Sequence, residues 1–91
     1  MPVAMLLDNP AGSPELYARI RQELHLEAPA GGMVHIAGPG PQGGWRLIEV
    51  FASEDDAKQF LEERFAPALR AVGFSGQPPQ PQFWPVYNQM P

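Results

Sequence analysis

The sequence predicts an α+β fold in which two helices cover one face of a four-stranded antiparallel sheet. Four short apolar segments and two amphipathic segments follow one another in the order strand, helix, strand, strand, helix, strand. With 91 residues the chain has room for one domain, residues 1–91, and for no second one. We therefore expect a single βαββαβ unit.

The N-terminal third predicts the first strand and the first helix. The run Pro2–Leu7 is apolar without alternation, as in a central strand that is buried on both faces. After a group of turn residues, Ser13 suits the capping position of a helix and Pro14 its first turn. Apolar residues then recur at intervals of four from Leu16 to Leu24, which places them on one helix face.

The middle of the chain predicts a hairpin. The second strand covers about residues 33–37 and the third about residues 45–51, joined by the glycine- and proline-rich loop "GPGPQGG". Side chains alternate between the two faces of a strand, and we expect odd-numbered residues to pair with odd-numbered ones. The β-branched set is expected to face the helices: Val34, Ile36, Ile48 and Val50. The other set is expected to face away: Met33, His35, Trp45, Leu47, Glu49 and Phe51.

The C-terminal half predicts the second helix and the last strand. Ser53 caps a helix with an acidic first turn, and Pro67 is expected to interrupt it before the short helical segment "PALRAV". A proline-rich connector leads to "FWPVYN", where Pro85 cannot donate to a ladder and so predicts an edge strand. The complete order is the split β-α-β, or ferredoxin-like, arrangement, with the first and third strands central.

The sheet face away from the helices predicts an oligomer. Its expected residues are too apolar for open water, and a large exposed apolar patch marks a partner or ligand site. A chain of this size also has a thin core, which dimerisation commonly supplements. We therefore expect a homodimer in which this face is covered by a second subunit and a cavity lies between the two.

Charge and hydropathy restrict the other partners. Ten acidic residues against six basic give a net charge of −4, which counts against nucleic-acid binding, since that binding depends on neutralising phosphates. No segment approaches a membrane-spanning length, and the apolar start lacks the basic leader of a signal peptide. We expect no membrane contact and a cytoplasmic location, with which the absence of cysteine agrees.

Two titratable residues interrupt the apolar hairpin strands and are the candidate catalytic residues. His35 is the side chain best suited to proton transfer near neutral pH, and Glu49 either orients it or accepts a proton itself. The structural alternative is a histidine that is hydrogen-bonded across the dimer interface and a carboxylate that is paired there. Two histidines and no cysteine offer no metal-binding pattern, so neither a metal nor another cofactor is expected.

The stretch "GWRLIEVFASEDDAKQFLEERFAPAL" carries a family resemblance. Together with the element order and the terminal aromatic strand, it resembles the dimeric α/β-barrel superfamily, and within it the small antibiotic-biosynthesis-monooxygenase-like proteins. The resemblance implies that two ferredoxin-like sheets pack face to face into a barrel. It also implies a ligand cavity in each subunit, either between sheet and helices or within the barrel.

The same resemblance suggests the kind of ligand. Some relatives oxygenate polycyclic aromatic substrates without metal or flavin, using asparagine, tryptophan and tyrosine side chains. Haem-degrading relatives carry a tryptophan and a histidine on the second helix where this chain has Phe60 and Arg70, which argues against haem degradation. The aromatic residues that are candidates for contact with a small hydrophobic ligand are Tyr17, Trp45, Phe51, Trp84 and Tyr87.

Two functional hypotheses follow from the sequence. In the first, the chain is a cofactor-independent monooxygenase that acts on a small hydrophobic or aromatic molecule. In the second, it is a dimeric ligand-binding or structural module without catalysis. A cavity that encloses His35 and opens to solvent would favour the first hypothesis, and a dry, filled barrel would favour the second.

Overall fold

The computed structural model describes residues 1–25, 29, 31–76 and 78–90. The elements follow the predicted order, and the predicted four-stranded antiparallel sheet with helices packed against it is present. They are β1 (Val3–Asn9), α1 (Pro14–Glu23), β2 (Gly32–Pro39), β3 (Trp45–Phe51), α2 (Glu54–Phe60), a π-helical turn (Leu61–Phe65), α3 (Ala66–Ala71) and β4 (Gln82–Pro85). None of the helices in the described ranges is long and apolar enough to cross a membrane.

The strand order β2-β3-β1-β4 is the one that the sequence predicts. β1 and β3 are central, and β2 and β4 form the edges. Pro85 pairs with Val3 on the outer strand, where its missing N–H group leaves no ladder bond broken. His35 pairs with Glu49 across the β2–β3 ladder, so the predicted pairing of odd with odd residues is confirmed.

Both predicted serine caps are present. The Ser13 hydroxyl accepts a hydrogen bond from the Leu16 N–H group at 3.1 Å, and the Ser53 hydroxyl accepts one from the Asp56 N–H group at the same distance. Each cap satisfies a backbone donor that would otherwise lack a partner at the start of a helix. The caps therefore fix where α1 and α2 begin, and with that which side chains face the sheet.

Pro67 interrupts the regular helix as predicted, but by a widened turn and not by a break. In the π-helical turn the Ala66 N–H group donates to the Leu61 carbonyl, five residues earlier. The turn shifts the hydrogen-bond register, so Pro67 falls in the first turn of α3, where proline is tolerated because no N–H group is needed. The helical segment therefore continues from α2 to Ala71.

The predicted orientation of the hairpin side chains is wrong. Phe51 is fully buried beneath the helices, and its ring centroid lies 5.8 Å from that of Phe60 on α2. Ile36, from the β-branched set, is 58% exposed on the open face. The aromatic side chains have the larger apolar area, and their burial against helices outweighs the preference of β-branched residues for a covered face.

The open sheet face is therefore lined by even-numbered side chains. They are Leu6, Val34, Ile36, Ile48, Val50 and Trp84. All six side chains are apolar; Ile36 and Trp84 are 58% and 44% exposed, whereas Val50 is only 9% exposed within the single chain. The sequence predicted an apolar face opposite the helices, and such a face is present, although it is made by the other set of residues.

Candidate functional site

A buried carboxylate lies at the centre of the candidate site. Glu49 is 2% exposed and projects from β3 into the layer between the sheet and α1. An isolated carboxylate in such a position is costly, so it requires a partner. Within the described residues that partner is His35, whose Nδ1 atom lies 3.4 Å from a Glu49 carboxylate oxygen.

His35 connects this carboxylate to the first helix. It lies on the edge strand β2, directly across the ladder from Glu49, and its side chain is 36% exposed. Its Nε2 atom is 2.5 Å from the Tyr17 hydroxyl, and the two rings stack at 5.9 Å with 21° between their planes. The bonds of His35 are thus made within one chain. His35 therefore needs no partner subunit for these two contacts.

The chemistry of the three groups sets the direction of the Tyr17–His35 hydrogen bond and the protonation of the His35 nitrogen that faces Glu49. A carboxylate accepts but does not donate, so the Nδ1 atom of neutral His35 carries the proton that faces Glu49. The Nε2 atom is then an acceptor, and the Tyr17 hydroxyl donates to it. The result is an ordered path from Tyr17 through His35 to Glu49, which we call the Tyr17–His35–Glu49 chain.

The rotation of α1 about its own axis determines where Tyr17 lies. Leu16 and Ile20 are buried against the rest of the core, and Tyr17 lies at the flank of this buried face, beside the β2 edge. Arg21 follows one turn later, and its guanidinium carbon lies 6.0 Å from the centroid of the Tyr17 ring. A cation at that distance is attracted to the negative face of an aromatic ring. The i,i+4 spacing of Tyr17 and Arg21 is a signal that could have predicted this pair from the sequence.

Trp45 lies on the other side of Tyr17. The two ring centroids are 5.3 Å apart with 36° between the planes. The indole Nε1 atom is buried, and no other atom of the described residues hydrogen-bonds to it. An unsatisfied buried donor costs about 1–3 kcal/mol, which a ligand acceptor would recover.

A small cavity lies between α1 and the sheet beside these rings. Its volume is about 40 Å³. Its walls in the described part of the chain are Leu7, Asn9, Gly12, Ser13, Leu16, Tyr17, Ile20, Trp45, Leu47, Phe65 and Pro79. Tyr17 therefore contacts both the cavity and His35, whereas His35 and Glu49 lie behind it. The position of Phe65 on the π-helical turn and of Pro79 on the proline-rich connector was not apparent from the sequence.

A wider groove adjoins the cavity at the end of the sheet. It measures about 390 Å³ and shares Asn9 and Trp45 with the cavity. Asp8 and Arg46 line its floor as a two-pronged ion pair with nitrogen–oxygen distances of 2.7 and 2.8 Å. The hydrogen bond from Arg46 lowers the pKa of Asp8, and the same bond raises the pKa of Arg46. Trp45 thus lines both the small cavity and the wider groove.

The five aromatic residues that the sequence proposes as ligand contacts lie in four different places. Tyr17 and Trp45 meet at the cavity. Phe51 belongs to the core, Trp84 lies on the open sheet face, and Tyr87 is fully exposed beyond β4. Among the described residues, no group of three histidine, cysteine or acidic side chains is arranged to hold a metal ion.

Comparison with known proteins identifies the fold. No protein-family model and no curated protein matches the sequence. The solved structure of Rv0793 from Mycobacterium tuberculosis is similar over 98% of both chains, with a TM-score of 0.64 and 17% identity. A protein provisionally assigned as an antibiotic biosynthesis monooxygenase from Chloroflexus aurantiacus J-10-fl has a TM-score of 0.65 and 15% identity, covering 99% of this chain and 98% of that one.

A third similar structure is that of a single-residue mutant of SnoaB, a cofactor-independent oxygenase from Streptomyces nogalater. The likeness covers 99% of this chain and 94% of that chain, with a TM-score of 0.53 and 15% identity. At these identities the likeness establishes the fold alone. The predicted ferredoxin-like architecture is thus confirmed, and the solved structures that share it include one provisionally assigned as an antibiotic biosynthesis monooxygenase and one described as a cofactor-independent oxygenase.

The ordered hydrogen bonds predict the tautomer of His35. In a long-range ¹H–¹⁵N correlation spectrum near pH 8, where an ordinary histidine is neutral, His35 should carry its proton on Nδ1. The exposed His25 provides an internal control and should show the Nε2–H form that is usual for free histidine. Glu49→Gln should weaken the preference of His35 for the tautomer that carries its proton on Nδ1. A wild-type His35 in the Nε2–H form would contradict the proposed direction of the hydrogen bonds.

Proposed function

We propose that this protein binds a small, planar, hydrophobic or phenolic molecule between its sheet and helices and oxygenates it without a cofactor. The observation that carries the proposal is the Tyr17–His35–Glu49 chain, which ends at a cavity that Trp45 also lines. Fold similarity to a protein that is described as a cofactor-independent oxygenase supports the same reading.

The walls of the cavity suit such a ligand. Leucine, isoleucine and phenylalanine are five of its eleven described lining residues, and the rings of Tyr17 and Trp45 offer faces for stacking. The volume of about 40 Å³ is below that needed for an aromatic ring, so binding requires the walls to move. Pro79, Gly12 and Ser13 are walls that could be displaced, because they belong to neither the sheet nor a helix.

The proposed reaction balances with dioxygen as the co-reactant. A C–H bond beside a substrate carbonyl gives its proton to the site, with His35 and Glu49 as the basic groups, and the carbanion adds to dioxygen to form a C–O bond. Protonation of the outer oxygen gives a hydroperoxide. Loss of the second C–H proton then breaks the O–O bond, so the methylene becomes a carbonyl and the other oxygen leaves as water. Dioxygen accepts the four electrons that the carbon loses.

One observation favours the alternative of a binding module without catalysis. A cavity of about 40 Å³ admits little more than a water molecule, as a space that is mainly structural would. Under this alternative, the Tyr17–His35–Glu49 chain serves to fasten α1 to the edge of the sheet. The two functions differ in what a bound ligand undergoes, so a turnover experiment separates them.

We also propose that two copies pack through the open sheet face into a barrel. Ile36 and Trp84 are large apolar side chains that remain 58% and 44% exposed in a single chain. The strands of the open face carry no charged side chain at their centre, between Asp8 and Arg46 at one end and Pro85 at the other. Association would remove this apolar area from water, at about 25 cal/mol for each Å².

The dimer is tested by placing a charge on the open face. Light scattering at micromolar concentration should give about twice the 10.0 kDa chain mass for the wild type. Ile36→Lys should give a folded monomer, because a buried lysine without a partner is strongly unfavourable. Ala18→Lys, on the exposed side of α1, is the matched control and should remain a dimer. A wild-type monomer, or an Ile36→Lys protein that still dimerises, would contradict the model.

Turnover is tested with 2-indanone, a small bicyclic aromatic ketone with an activated methylene group. In a Trp84→Phe background, in which Trp45 is the remaining tryptophan, binding should quench the fluorescence. One dioxygen should be consumed for each indane-1,2-dione formed. His35→Asn should lower the rate at least about 100-fold with binding retained, because asparagine cannot accept the proton.

The control for this experiment is His25→Asn, which changes the other histidine and should leave the rate unchanged. Asparagine tolerates the left-handed backbone of His25, whose φ is 56°. Quenching without oxygen consumption would establish the binding module instead. The absence of both signals would overturn the proposed function.

A further inference from the structure

The positions of the three groups raise the question of which one meets the ligand. Tyr17 lines the cavity, whereas the described walls of the cavity include neither His35 nor Glu49. The Tyr17 and His35 rings stack with 5.9 Å between their centroids. A ligand in the cavity would therefore contact Tyr17, which is the member of the Tyr17–His35–Glu49 chain that lines it.

We propose that Tyr17 is the catalytic acid–base residue and that His35 and Glu49 are positioning residues that relay its proton to solvent. The proposal rests on the proposed function and deepens it, because the sequence assigned the catalytic role to His35 and Glu49 and gave Tyr17 only ligand contact. The expected substrate is a small planar ketone or phenol whose acidic proton points towards the helix.

The proton transfer balances along the Tyr17–His35 hydrogen bond, which is already present. As the substrate proton passes to the Tyr17 oxygen, the Tyr17 proton passes to the Nε2 atom of His35, 2.5 Å away. Tyr17 is then restored, and His35 has become an imidazolium with protons on both nitrogens. The Glu49 carboxylate, 3.4 Å from Nδ1, balances the new positive charge in a setting with little solvent.

The different solvent exposure of His35 and Glu49 indicates where the proton can pass to water. The Glu49 side chain is 3% exposed and is closed to water, whereas the His35 side chain is 36% exposed at the sheet edge. The imidazolium is thus the point at which the relay exchanges protons with solvent. The same path in reverse can return a proton to the peroxide oxygen during the second half of the reaction.

Two neighbours of Tyr17 support an acid–base role for its hydroxyl. The Arg21 guanidinium lies 6.0 Å from the ring centroid, where a positive charge stabilises the negative charge that develops as the hydroxyl loses its proton. Trp45 packs against the same ring at 5.3 Å and limits the space in which it can move.

The relay is tested by proton exchange without oxygen. Under anaerobic conditions in D₂O, the wild-type protein should accelerate the exchange of the methylene protons of 2-indanone, followed by NMR. Tyr17→Phe, which removes the hydroxyl alone, should lower the rate at least about 100-fold. His35→Ala should lower it similarly, and added imidazole should restore part of the rate to His35→Ala but none to Tyr17→Phe. Imidazole rescue is a readout that a merely structural histidine would not produce.

Further variants guard against loss of folding. If His35→Ala does not fold because Glu49 loses its partner, His35→Gln keeps one hydrogen bond and should show the same loss of exchange. His25→Asn is the control and should exchange at the wild-type rate. Binding is followed separately by Trp45 fluorescence, so a failure to bind 2-indanone would overturn the proposed function and the relay together.

Two results would overturn the relay while leaving the binding site intact. One is a Tyr17→Phe protein that binds and exchanges 2-indanone at the wild-type rate while His35→Ala does not, because His35 would then act directly. The other is a wild-type protein that binds 2-indanone and does not accelerate its exchange.

Discussion

The pairing of His35 with Glu49 across the β2–β3 ladder is the contact on which the arrangement of the site depends. Because side chains alternate along a strand, directing Glu49 towards the helices also directs Trp45 and Phe51 there. The same alternation leaves the β-branched residues on the open face, where Ile36 is the most exposed. Which of the two alternating sets of hairpin side chains faces the helices thus determines the core, the candidate site and the surface available to a second subunit.

Much of the fold could be predicted from the sequence because its signals are local. Serine caps, apolar spacing and Pro85 identify the helices, the strands and an edge strand without knowledge of any distant contact. Local signals do not decide which set of hairpin side chains faces the helices, since both sets are largely apolar. The outcome depends on how Phe51 fits beneath Phe60 and on whether Tyr17 is within reach of His35, and both contacts join distant parts of the chain.

The candidate site was accessible to sequence reasoning only in part. His35 and Glu49 stand out because polar residues are rare in apolar strands, and the structure brings them together. Tyr17 was named for its aromatic character, but its hydrogen bond to His35 depends on the rotation of α1 and could not be read from spacing along the chain. Phe51, Trp84 and Tyr87 were grouped with it by residue type, and tertiary packing distributes them elsewhere.

The central claim is that a ligand binds between the sheet and the helices and not between two sheets. The most direct measurement is an ¹H–¹⁵N correlation titration of the uniformly labelled protein with 2-indanone. We expect shifts of the Trp45 indole N–H group and of the amides of Gly12, Leu16 and Tyr17, with the open face unchanged. Shifts that cluster on Ile36, Ile48 and Trp84 would place the ligand on the opposite side of the sheet and contradict the account.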